Sequence, residues 1–153
     1  MVSIVIPTHA YLKKYAFHLA NSRGVIQISS ADNWGILLLK ILQKKASWEP
    51  NEKLKFEDEI TFGITEFFYS KTGFFISKQN INFFNNSLQS QFEEALFVQA
   101  TINLTGSFKT TIEEQIQAYL YFYNITESEK SLDSLLKAYQ RWRKEHNYKL
   151  IRA

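Results

Sequence analysis

An α+β fold is predicted for this 153-residue chain. A small mixed or antiparallel sheet packed with helices is expected over residues 1–106, followed by a helical unit over 107–153. Three observations predict it. Short β-branched runs, VSIVI at 2–6 and VIQIS at 25–29, alternate with stretches whose apolar residues recur every three or four positions. From Leu54 to Ser77 the apolar spacing shortens toward two. Beyond the LTGS segment at 104–107 only helical spacing remains. That boundary is short enough for the two parts to share one core.

VSIVI reads as a buried strand ended by Pro7, and HAYLKKYAFHLANS then places Tyr11 or Leu12, Tyr15 and Leu19 on one helical face. Gly24 breaks that helix before the second strand. Ser30 or Asp32 opens the next helix, with Trp34, Leu37, Leu38 and Ile41 or Leu42 on its apolar side. Lys44 and Lys45 sit where cations oppose a helix dipole. LKFEDEITFGITEFFYS reads as a strand bent or bulged near Gly63, and KTG at 71–73 as the turn of a hairpin into FFIS.

Ser77 opens the longest helix, about 78–104, along which Ile81, Phe84, Leu88, Phe92 and Leu96 or Phe97 recur, with Gly106 as its stop. A helix through Ile112, Ile116, Leu120 and Tyr123 follows. NITESEK interrupts it, either as a loop or as a further short helix. There Thr126 and Glu129 have capping-box spacing, and Ser131 is placed to cap the last helix. In that helix Leu132, Leu135 or Leu136, Tyr139 and Trp142 face inward together.

Composition narrows the function. An apolar fraction of 45% with 22% charged residues describes a folded globular chain. The absence of cysteine excludes disulfides, thiolate catalysis and sulfur-ligated metals. Apolar runs are far below membrane-spanning length and the N-terminus lacks a signal pattern, so a cytoplasmic protein without membrane association is expected. The sequons at Asn85, Asn103 and Asn124 matter only in a secreted chain.

Charge is uneven. Residues 1–55 carry 8 basic and 3 acidic groups, residues 56–106 carry 2 and 6, and from Lys130 onward there are 7 against 2. The positive ends attract phosphate, and the acidic middle argues against a protein that coats nucleic acid indiscriminately. In SLLKAYQRWRKEHNYK, an inward ridge through Trp142 leaves Lys137, Arg141 and Lys144 on an opposite stripe. Arg143 flanks the stripe and Lys149 extends it. The competing account is dipole compensation at a helix end, with Glu145 neutralising Arg141. Lys13 and Lys14 of YLKKY are candidate additional contacts.

Enzymatic patterns are weaker. VSIVIPT at 2–8 resembles the opening of the family A inverting glycosyltransferases, which implies a nucleotide-sugar domain with a later Asp-x-Asp metal segment. The chain departs from that pattern, continuing as GVIQISS and offering only FEDEI at 56–60, so no catalytic residue is carried over. His9, His18 and His146 share no ligand spacing. The Glu57-Asp58-Glu59 triplet should alternate between strand faces, and Ser29, Ser30 and Asp32 lack a placed histidine. No cofactor or metal is expected.

The resulting expectation is a non-catalytic nucleic-acid-associated accessory or regulatory factor of a bacterial or phage-like element that contacts phosphates through its last helix. The alternative is a structural or protein-interaction module, homo-oligomeric or with a protein partner, built on exposed rings in ITEFFYS and GFFIS.

Overall fold

A computed structural model describes residues 1–29, 31–46, 49, 53–106 and 109–152, without the side chains of 147–152. The fold is α+β: among the described residues six helices accompany one three-stranded and one two-stranded sheet. The backbone divides into two compact units, Met1–Leu88 and Gln89–Ala153. No helix among the described residues is long and apolar enough to cross a membrane.

In the first unit β1 (Val2–Thr8) and β4 (Asp58–Ile64) pair antiparallel, from Val2 opposite Ile64 to Thr8 opposite Asp58. The two-residue β2 (Ile26–Gln27) pairs parallel with the other side of β4. Alternation sends Ile4, Ile6, Ile60, Phe62 and Ile64 to one buried face. Each such burial contributes about 1.5–3 kcal/mol. The strand does not end at Pro7. β1 is an edge, where a residue without an N–H is tolerated, and the Pro7 carbonyl is taken by the Asn85 side-chain amide.

Helix α1 (Ala10–Leu19) buries Tyr11, Leu12, Tyr15 and Ala16, whereas Leu19 is exposed. Its end is a Schellman motif: Asn21 takes φ 49, its N–H reaches the His18 carbonyl, and Ser22 N–H reaches that of Phe17. Asp32 caps α2 (Asn33–Ile41) by accepting from the Gly35 amide. That helix stops at Ile41. Leu42 is already extended, so Lys44 and Lys45 follow β3 (Leu42–Gln43) rather than closing a helix.

The bulge expected at Gly63 is absent, because its missing side chain leaves room for Gln27; a Cβ there would lie 2.8 Å from the Gln27 carboxamide. The expected hairpin is also absent. Thr65 accepts the Phe68 amide proton and starts α3 (Glu66–Thr72), whose buried pair Phe68 and Thr72 is four residues apart. β5 (Phe75–Ile76) returns to β3, not β4. Between α3 and β5, Gly73 has φ 74, and a Cβ would fall 2.3 Å from the Gln43 carbonyl oxygen. Only glycine fits both demands.

Helix α4 (Lys78–Thr105) runs through the division between units. In the first unit Phe84 meets Phe62 edge-on at 5.8 Å, and buried Asn85 bonds Thr8, Pro7 and Ile81, which removes its sequon from any solvent-side role. In the second unit α4 contributes Phe92, Leu96, Phe97 and Ala100 to the core. Helix α5 (Ile112–Phe122) adds Ile116 and Leu120, and α6 (Leu132–Arg152) adds Leu135, Ala138 and Tyr139. Thr111 caps α5, and Glu113 and Glu114 oppose its dipole. A second Schellman motif ends it: Asn124 at φ 56 bonds Tyr121, Ile125 bonds Leu120, and Ile125 is buried.

Candidate nucleic-acid interface

Helix α6 starts where its free amides find acceptors. Ser131 Oγ accepts from the Ser134 N–H at 3.1 Å, and the Glu127 carboxylate accepts from Leu132 N–H at 3.1 and 3.3 Å. Thr126 and Glu129, which carry the capping-box spacing, instead bond each other's side chains within a turn, so NITESEK contains no further helix. Residues 123–131 thus join α5 to α6 by a connection longer than the three or four residues of a helix-turn-helix.

The ridge of α6 points inward. Leu135 and Tyr139 are buried and Leu132 and Trp142 half-buried. Phe97 of α4 packs on Tyr139 and Trp142 with ring centres 5.6 and 5.7 Å away. The Trp142 indole N–H donates to Glu94 at 3.2 Å. His146 stacks on the same indole at 4.1 Å, and its Nδ1 lies 2.8 Å from the Trp142 carbonyl oxygen. Glu94, a carboxylate of the acidic middle segment, is therefore directed at the ridge and not at the cations. Its role is invisible in sequence, because it depends on which α4 face meets α6.

Lys137, Arg141 and Lys144 are exposed on the side away from that ridge. Lys137 Nζ pairs with Asp133 at 2.9 Å, one turn back and well exposed, an interaction of about 0.3–0.5 kcal/mol. Among the described residues no carboxylate forms an ion pair with Arg141, Arg143 or Lys144. Arg143 is exposed but sits about 160° around the helix from Arg141, so it does not share the stripe. The side chain of Lys149 lies outside the described residues.

Lys13 has a different setting within the first unit. Its Nζ is 2.8 Å from Asp58 Oδ1 and 5.6 Å from the Phe17 ring centre. Lys14 is half-buried. Beside this pair, Glu57 caps α1 from a distant segment: one oxygen accepts from the Ala10 amide at 2.9 Å and the other lies 2.9 Å from His9 Nδ1. His9 also stands against Tyr11 and Phe56. Partial burial works to raise both carboxyls. The Ala10 amide and the His9 ring outweigh it at Glu57, and Lys13 with the Glu59 amide outweighs it at Asp58, so both end below the ordinary range.

Asp58 and its flanking glutamates do not converge, and among the described residues no three His, Asp or Glu side chains form a metal-holding group. The rings of 67–75 divide by environment. Phe68 is buried, Tyr69 and Phe75 are half-buried, and Phe67 and Phe74 are exposed. Compared with known protein families, curated proteins and solved structures, the chain has no match in any of the three.

Proposed function

We propose that this chain is a non-catalytic nucleic-acid-associated accessory or regulatory protein that grips phosphates with the outer face of α6. The observation that carries this reading is the exposed Arg141 and Lys144 pair, opposite a buried ridge and without an ion-pair partner among the described residues. Arginine offers a planar fork for two phosphate oxygens, and lysine an adaptable point charge. Lys137 joins them at little cost, since its exposed pair with Asp133 is weak. From Lys137 to Lys144 the stripe covers about 10 Å of helix axis, or about three base steps of one strand.

Titration with duplex DNA, single-stranded DNA and RNA at two salt concentrations tests the reading. Three phosphate contacts predict a slope of log affinity on log salt near −2.7, hence an affinity loss of about fortyfold from 50 to 200 mM salt. Arg141→Gln with Lys144→Gln should reduce the slope to about −0.9 while the fold survives. Failure of all three polymers to bind, or binding indifferent to salt, would remove the proposal. A second reading, a protein-interaction or homo-oligomeric module, is favoured by the exposure of Tyr121 (88%) and Phe122 (62%) at the end of α5. A stable oligomer without nucleic-acid affinity would decide for it.

A further inference from the structure

Besides the stripe, the outward side of α6 carries Gln140 and Arg143, both exposed. At about 100° per residue, Arg143 stands about 120° around the helix from the centre of the Lys137, Arg141 and Lys144 stripe. Gln140 falls midway, about 60° from each. Its carboxamide forms no hydrogen bond among the described residues. The carboxylates of the helix lie to either side of this position. Asp133 is paired with Lys137 and precedes Gln140 by about 10 Å along the axis, and Glu145 stands beyond Arg141 on the far side of the stripe. The outward side therefore presents cations on two flanks with a neutral amide between them.

We propose that α6 enters the major groove of duplex DNA and that Gln140 reads an adenine there. This rests on the phosphate-gripping role of α6 and adds to it a groove and a base. Two phosphate backbones bound a groove, and α6 has cations for both: the stripe for one strand, Arg143 for the other. A helix about 10–12 Å across fits a major groove about 12 Å wide. Between the backbones Gln140 meets base edges, where its amide N–H donates to adenine N7 and its carbonyl accepts from the N6 amino group. A single strand has one backbone and leaves Arg143 idle, and the major groove of duplex RNA is too deep and narrow for side chains to read. An acidic protein would need carboxylates on both flanks and a donor beside an acceptor between them, an arrangement that duplex DNA repeats along its length.

The test uses the full chain, a pool of short DNA duplexes with randomised central positions, a DNA single strand and an RNA duplex. Selection and sequencing should show that the parent enriches adenine at one position of the pool. Gln140→Ala should erase the preference at that position alone and weaken the best-enriched duplex by about 5- to 150-fold. Gln140→Arg should move the same position from adenine to guanine, whose O6 and N7 accept from a guanidinium. Gln140 is exposed, so both variants keep the core, as helical circular dichroism checks. Arg143→Gln should reduce the salt slope on duplex DNA by about 0.9 and leave that on the single strand unchanged. Duplex RNA should bind more weakly than duplex DNA of the same sequence.

A pool in which the parent enriches no adenine, or an adenine preference that survives Gln140→Ala, overturns the groove assignment. So does an Arg143→Gln effect of equal size on duplex and single strand, or duplex RNA bound as tightly as duplex DNA. If the salt slope still depends on Arg141 and Lys144 in any of these cases, the phosphate-gripping role stands and only the groove and its base fall. Failure to bind any of the nucleic acids, or a slope that ignores Arg141→Gln with Lys144→Gln, removes both.

Discussion

YLKKY near the N-terminus and KAYQRWRK near the C-terminus look alike as text, each a pair of cations or more among aromatic residues. Folding separates them. In the first, Lys13 is joined to Asp58 at 2.8 Å, from a strand 45 residues away, and the neighbouring Glu57 closes the start of α1. In the second, the carboxylate that reaches across from α4 bonds the Trp142 indole, while Arg141 and Lys144 stay outside. A count of charges therefore says little about availability. What matters is whether the fold has already supplied the counter-charge.

The largest effect expected from this contrast is on stability. Leu135 is fully buried on the side of α6 away from the exposed cations, and Leu135→Ala should cost about 2–5 kcal/mol, measured by urea unfolding. The same variant should lose α6-dependent phosphate affinity, since the ridge orients the outer face. Affinity retained in a variant so destabilised would break the link between ridge and stripe.

Next comes acid sensitivity, expected from Glu57 and Asp58 of the first region. Glu57 and Asp58 titrate below their ordinary values in the folded chain. Their stabilisation is therefore present above about pH 4, the unfolded range, and is lost as pH falls through the lower folded values. Unfolding midpoints followed from pH 6 to pH 2 should fall less steeply in Glu57→Gln and Asp58→Asn than in the parent. An unchanged acid profile in both variants would mean that the two contacts do not survive in solution.

Smaller still, Lys13→Gln should change stability by no more than about 1 kcal/mol and duplex affinity by less than about twofold. A larger loss of affinity would show that Lys13 leaves Asp58 for a phosphate, and the contrast between the two clusters would fail. Lys137→Gln should alter stability by only about 0.3–0.5 kcal/mol, at the limit of calorimetric detection.

Much of the helical architecture was legible because its signals are local. The Asp32 cap, the Ser131 cap and the inward series Ile81, Phe84, Leu88, Phe92 each depend on residues a turn or less apart. The segment ITEFFYS misled for the opposite reason. Its aromatic density suits a strand, yet Thr65 supplies a cap and Phe68 with Thr72 a single inward face. Two-residue strands such as β3 and β5 are too short to display a period, and their pairing spans more than thirty residues. Likewise nothing around Lys13 announces Asp58, and nothing around Trp142 announces Glu94. The exposed stripe on α6 could be drawn from helical spacing, but the neutralised cluster on α1 needed the fold.

Pro7 has a consequence for behaviour in concentrated solution. A growing fibril recruits chains through an unbroken row of donors and acceptors along an open strand. At residue 7 of β1 the donor does not exist, and the acceptor is occupied by Asn85. An incoming strand would meet a gap on this flank, so the outermost strand of the larger sheet is a poor seed for aggregation although its inner face is among the most apolar parts of the molecule.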